Sequence, residues 1–188
     1  FPTRRSSDLA AITQTNEITV GVNATGNQTA TFNATTAAVT LVNDLNDFEV
    51  VSTTASGSTS DVMLRDANVI TLGASTIGRD LSVTVGGKTG NNGISTNGAV
   101  AVGGNVSLIS ASSAGSGINF ASGSSVAGYA SAVTAGGAVT FNTTGNLTLG
   151  NITTNVTATN LAGTGYSALG APTVTTGSGS VTGVTLSG

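Results

Sequence analysis

The chain has 188 residues, with 8 acidic and 5 basic side chains, a formal charge of −3 and no His, Cys or Trp. Charged residues make up 7 % and aromatics 4 %, against about 25 % charged in an average soluble domain. This excludes disulfides and thiolate metal sites and argues against nucleic acid, whose phosphates need clustered Lys and Arg; no stretch approaches the roughly 18 apolar residues of a membrane helix.

In chain order, Phe1 to Leu9 reads Phe-Pro-Thr-Arg-Arg-Ser-Ser-Asp-Leu. It resembles one reading frame of a sequencing adapter, holds two of the five basic residues, and is set aside from fold reasoning as a non-native segment. Residues 10–188 are then read as a single unit, a fragment of a larger protein. Short alternating segments follow: Ile18-Thr19-Val20, Val39-Thr40-Leu41, Val62-Met63-Leu64, Ile70-Thr71-Leu72, Leu81-Ser82-Val83, Val100-Ala101-Val102, Val106-Ser107-Leu108, Val139-Thr140-Phe141, Leu147-Thr148-Leu149 and Val184-Thr185-Leu186. Each places two apolar side chains on one face, the period-2 pattern of a half-buried strand. Turn formers separate them: Asn43-Asp44, Asn46-Asp47, Gly86-Gly87, Asn91-Asn92-Gly93, Gly103-Gly104-Asn105 and Gly136-Gly137.

Strand groupings of roughly 20 to 25 residues suit one turn of a solenoid. The expected fold is all-β, a parallel β-helix (β-solenoid) of about eight coils, some 4.8 Å apart, making a rod about 40 Å long. Like residues on successive coils would share hydrogen-bond ladders, and stacked like charges would repel, which accounts for their scarcity. The alternative is an antiparallel β-sandwich, which normally needs larger core residues such as a buried Trp.

Chemistry-bearing residues are confined to the first half, since no Asp, Glu, Lys or Arg occurs from Thr89 to Gly188. Asp44, Asp47 and Glu49 form the densest acidic cluster, with the residue types of a Ca²⁺ site or a glycosidase carboxylate pair; turn-shaping by Asp44 and Asp47 with a solvated Glu49 is the preferred reading. Asp61, Arg65, Asp66, Arg79 and Asp80 read as a ladder of ion pairs on adjacent coils. Gly86-Gly87-Lys88-Thr89 lacks the earlier Gly and the following helix of a phosphate loop and reads as a turn. Sequons begin at Asn23, Asn33, Asn105, Asn142, Asn146, Asn151 and Asn155, as a chain rich in Asn and Thr produces by chance. Phe32, Phe48, Phe120, Phe141, Tyr129 and Tyr166 are too scattered to read as a sugar-stacking platform; the Phe residues are expected core fillers, and Tyr129 and Tyr166 loop or rim residues. No catalytic, cofactor-binding or metal-ligating residue is assigned, and the chain is not expected to be an enzyme.

One region carries a family resemblance. Asn46-Asp47-Phe48-Glu49-Val50-Val51-Ser52 is followed by Val62-Met63-Leu64-Arg65-Asp66-Ala67-Asn68-Val69-Ile70-Thr71-Leu72-Gly73-Ala74-Ser75-Thr76 and by Leu81-Ser82-Val83-Thr84-Val85-Gly86-Gly87. This order of segments resembles a module of the filamentous-haemagglutinin-like bacterial adhesins, from about Asn43 to Gly104. The resemblance implies a right-handed parallel β-helix, export through an outer-membrane transporter by a two-partner or autotransporter route, and a secreted or cell-surface location. It also implies attachment to host-cell or bacterial surface ligands (glycan or protein) or aggregation through self-association, with no cofactor. A purely structural filament or surface-layer protein, and a polysaccharide lyase or hydrolase on the same fold, are the rival expectations. The second half departs from the pattern at Ser110 to Gly128 and Asn160 to Gly170, where the strand spacing is looser, expected as loops leaving the rod or as coils whose register the sequence does not reveal.

Overall fold

The computed structural model describes residues 10–21, 27–86, 93–111, 117–134, 139–154, 173–176, 181–182 and 185–187. Among these every element is a β-strand and every strand pairing is parallel, in two stacked sheets. The antiparallel sandwich is thereby ruled out, and the chain folds as a parallel β-solenoid, consistent with the right-handed winding of nearly all parallel crossovers.

The first sheet stacks β1 (Ile12–Thr13), β3 (Val39–Leu41), β5 (Val62–Asp66), β8 (Leu81–Val85), β11 (Val106–Ser110), β13 (Tyr129–Thr134), β15 (Leu147–Thr154) and β17 (Val181–Thr182), with β18 (Thr185–Ser187) also on β15. The second holds β2 (Thr29–Thr35), β4 (Val50–Ala55), β6 (Val69–Leu72), β7 (Ser75–Ile77), β9 (Gly93–Thr96), β10 (Val100–Val102), β12 (Ile118–Val126), β14 (Val139–Thr143) and β16 (Thr173–Thr176). Each coil thus gives one strand to the first sheet and one, or a split pair, to the second. Register partners in the first sheet run Val39, Val62, Leu81, Val106, Ala130 and Leu149. Five coils therefore separate β3 from β15, with further levels at each end, where the sequence suggested about eight in all.

The core is a set of columns. Leu41, Leu64, Val83, Leu108, Ala132 and Ile152 form one inside the first sheet, and Ile70, Ile94, Ile118 and Val139 one inside the second; all are 3 % exposed or less. Phe120 stacks on Phe141 with ring centroids 6.0 Å apart, and Phe32 meets Phe48 edge-on at 6.1 Å. Phe48, Phe120 and Phe141 are core fillers as expected, and Phe32 is half-buried against Phe48.

Where β4 meets the split pair β6 and β7, and where β9 and β10 meet β12, the backbone ladder is interrupted. Hydroxyls from the neighbouring coil fill the gaps. Thr53 N–H donates to Ser75 Oγ (3.0 Å), Val100 N–H to Ser124 Oγ (3.1 Å) and Ala121 N–H to Thr96 Oγ1 (2.9 Å). A buried N–H left without such a partner would cost about 1–3 kcal/mol, so these bends require Ser or Thr facing inward.

Of the two expectations for Ser110 to Gly128, the described part is a coil and not a loop leaving the rod: Ile118–Val126 is a strand within the second sheet, with a register shift between Phe120 and Ser124 that hid its spacing. Asn46 closes the turn through Asp44-Leu45 with its N–H on Asn43 O at 3.3 Å, and its side chain is fully buried. Gly93 opens β9 and is not a turn residue. Ile18-Thr19-Val20 contributes only an isolated bridge, Thr19 to Asp47. Phe1 to Leu9, Gly87 to Asn92, Gly136-Gly137, Asn160 to Gly170, Tyr166, Val184 and the sequon residues Asn23 and Asn155 lie outside the described residues.

Candidate functional site

The charged residues of the lower coils are the first place to look for chemistry, and the fold disperses them. Asp44 pairs with Arg65 at 3.0 Å on the surface. Asp47 accepts from Asn68 Nδ2 at 3.1 Å, and Glu49 accepts the Gln28 N–H at 2.6 Å. Asp47 and Glu49 line a polar hollow of about 450 Å³ with Asn27, Asn68 and Thr71, and Asp44 is not among its lining residues. The described residues contain no group of three or more carboxylates placed to share a cation.

The ion-pair ladder expected from Asp61 to Asp80 is corrected in detail. Arg79 grips Asp61 through two guanidinium nitrogens, and this contact, ahead of all other influences, holds the Asp61 carboxyl below its ordinary range. Arg65 reaches Asp44 instead. Asp66 points inward, fully buried, and accepts Phe48 N–H at 2.7 Å and Asn68 N–H at 2.9 Å. Asp80 serves the backbone of the next coil.

The backbone contacts form a column at the corner before the first sheet. Asp61 Oδ1 accepts Asp80 N–H (3.2 Å), Asp80 Oδ1 accepts Asn105 N–H (2.7 Å), and Asn105 Oδ1 accepts Tyr129 N–H (3.1 Å). Each acidic or amide side chain thus clamps the coil above it. In the upper two clamps a glycine precedes the clamped N–H and leaves the accepting oxygen room: a Cβ on Gly104 would lie 2.4 Å from Asp80 Oδ1, and one on Gly128 would lie 2.3 Å from Asn105 Oδ1; before Asp80 that place is held by Arg79. Stacked Asx residues were expected to bond side chain to side chain; here they bond side chain to backbone, which lets Asp and Asn interchange along the column.

A second clamp is Asn46. Its Oδ1 accepts Gln14 Nε2 (2.7 Å) and Ile18 N–H (2.9 Å), while its Nδ2 donates to Gln14 Oε1 (2.9 Å), Leu41 O (3.3 Å) and Arg65 O (3.1 Å). It ties three successive coils through one side chain.

No family model, curated protein or solved structure matches this chain.

The outer surface is the other candidate. On the second sheet Thr71, Ser95, Asn119 and Thr140 align outward, with Thr71 and Ser95 hydroxyls 3.1 Å apart. On the first, Ser82, Ser107 and Ser131 align, with Ile109 beside Val133. Tyr129, expected in a loop or rim, is instead the first residue of β13. The sequence reading missed it because its inward neighbours on β13 are Ala130, Ala132 and Thr134, too small to announce a strand. Among the sequons, Asn105 commits its side-chain oxygen to Tyr129 N–H and Asn33 to the N–H and hydroxyl of Thr35; Asn33, Asn142, Asn146 and Asn151 are exposed.

Proposed function

We propose that this chain is part of the shaft of a secreted or cell-surface bacterial adhesin, exported through an outer-membrane transporter, whose stacked coils hold an adhesive surface away from the cell. The observation that carries the reading is the solenoid itself, with charged side chains turned to clamping coils and an outer surface of Ser, Thr and Asn in register. Such a rod presents many equivalent weak contacts, and linked contacts sum through high effective concentration. The segment order from Asn43 to Gly104, resembling filamentous-haemagglutinin-like modules, supports the same reading.

A structural filament built from the same stacked coils is the second reading. Labelled whole chain titrated onto bacterial and epithelial cells separates the two. Saturable binding is expected of an adhesin. End-to-end association in solution with only linear, non-saturating cell uptake would replace it with the filament.

A further inference from the structure

We infer that the outer face of the first sheet around Tyr129 is a stacking site for a sugar ring of an uncharged glycan. The inference rests on the adhesive reading and names the ligand class of that surface.

Tyr129 is 48 % exposed, and it is the exposed aromatic among the described residues. Its position is built. The backbone N–H is clamped by Asn105 Oδ1, and the residue pairs in register with Thr148 on the coil above. Beyond Thr148 on that coil lies Gly150, where a Cβ would come within 3.0 Å of Tyr129 Cδ2 and 3.5 Å of Ser131 Cβ. The pairing of β13 with β15 shifts register between Ala130 and Ala132, opposite Gly150. A glycine and a bulge together mark a place where a strand makes room for a neighbouring group or re-aims a side chain. Here they leave space for the phenol ring on the sheet surface.

The surroundings define the ligand. Ser131 is the next outward residue of β13, with Ser107 as its register partner and its hydroxyl donating to Val106 O at 3.3 Å, and Ile109 and Val133, 39 % and 37 % exposed, lie one outward position further along. Asn151 is exposed on the adjoining strand. An aromatic face covers the C–H face of a pyranose, while hydroxyl and amide groups at its border meet the sugar hydroxyls. Tyrosine supplies that contact area with little conformational entropy to lose. No charged residue occurs from Thr89 to Gly188, so nothing in this half of the chain would neutralise a uronate, sulfate or phosphate. A stacked nucleobase is disfavoured for the same reason, since its backbone phosphates call for cations.

The test uses the whole chain with Tyr166→Phe, which leaves Tyr129 as the single tyrosine of the two in the sequence. Maltohexaose, cellohexaose, mannohexaose and chitohexaose are titrated while Tyr129 fluorescence and ring NMR shifts are followed, with a heparin hexasaccharide as the charged comparison. At least one uncharged hexaose is expected to saturate the Tyr129 signal. Tyr129→Ala should weaken that binding about tenfold or more, as for a central aromatic contact, and Tyr129→Phe should retain most of it. Circular dichroism and the unfolding midpoint of Tyr129→Ala, a surface change, confirm that the rod is intact. Silence towards all four uncharged glycans, a response to heparin alone, or unchanged affinity in Tyr129→Ala overturns the site. Cell binding read in parallel separates the two ideas: cell adhesion with silence towards the uncharged glycans removes the site and leaves the adhesin. Glycan binding without cell adhesion does the reverse.

Discussion

Removing the side chain of Asn46 should loosen the lower coils while leaving the upper ones intact. Asn46→Ala deletes five hydrogen bonds. The Gln14 amide is partly exposed and regains water, and the 3.3 Å bond to Leu41 O is weak, so neither adds much to the cost. Ile18 N–H and Arg65 C=O are left facing the space that Asn46 filled. Both contacts are part-buried, so each orphaned group costs towards the lower end of about 1–3 kcal/mol, and the loss is about 2–4 kcal/mol. Asn46→Asp should be at least as damaging at neutral pH, because it keeps the acceptor but turns a carboxylate towards Leu41 O and Arg65 O. In a solenoid each coil contacts only its neighbours, so the damage should be local. Urea unfolding gives the size, as a lowered midpoint, and hydrogen exchange gives the place: amides within 12–86 lose protection and those within 118–154 keep it. A loss below about 1 kcal/mol, or equal deprotection of both halves, would refute the argument that one buried amide staples three coils.

Four further outcomes follow from the same geometry. Phe120→Ala, at a fully buried ring stacked on Phe141, should cost about 3–5 kcal/mol, read as a shifted urea midpoint. Gly78→Ala should be more harmful than Gly145→Ala: the first drives a Cβ to 2.0 Å from the Gly57 carbonyl oxygen, while the second meets open space and pays only for its φ of +90°. Comparable thermal midpoints for those two variants would contradict the close coil contact at Gly78. Asp61 has its carboxyl lowered by Arg79, so its contribution is full above the unfolded aspartate value of about 3.9 and disappears as pH falls through the lower folded value. Asp61→Asn should therefore flatten the acid limb of the stability–pH curve below about pH 4, by a small amount because the pair is exposed; an unchanged acid limb would count against the pairing. Ser124→Ala should orphan the Val100 N–H and lower stability by about 1–3 kcal/mol, where Ser125→Ala, on the outward face, should be close to neutral by the same measurement.

The fold was legible where inward residues are large. Val39-Thr40-Leu41, Leu81-Ser82-Val83 and Val106-Ser107-Leu108 each announce a strand, and all three stack in the first sheet. It was not legible where the inward residues are small: β4 buries Thr53 and Ala55, and β13 buries Ala130, Ala132 and Thr134. A core only one coil wide needs no bulk at every level, so the alternation of apolar and polar residues fades there. The clamps were hidden for a different reason. Asp80, Asn105 and Asn46 look like turn formers because their short polar side chains bond nearby backbone, and they do so here, but on a neighbouring coil 19 to 28 residues away. The recurring Gly-x-Asx at Gly78-Arg79-Asp80 and Gly103-Gly104-Asn105, each just before a strand, was the available signal. Ala127-Gly128-Tyr129 breaks that pattern at its first and last positions, so the same signal did not reach Tyr129.

The stacking of coils is best tested by a distance along the rod. The chain has no cysteine, so Thr40→Cys and Ser131→Cys can carry a spin-label pair without background. Register leads from Thr40 through Met63, Ser82 and Ser107 to Ser131, four steps of about 4.8 Å, or about 19 Å in all. A narrow distribution near that distance is what the solenoid predicts. A distribution centred beyond about 30 Å, far outside four coil steps, or one with no defined maximum would contradict the stacked-coil architecture on which the adhesive reading depends.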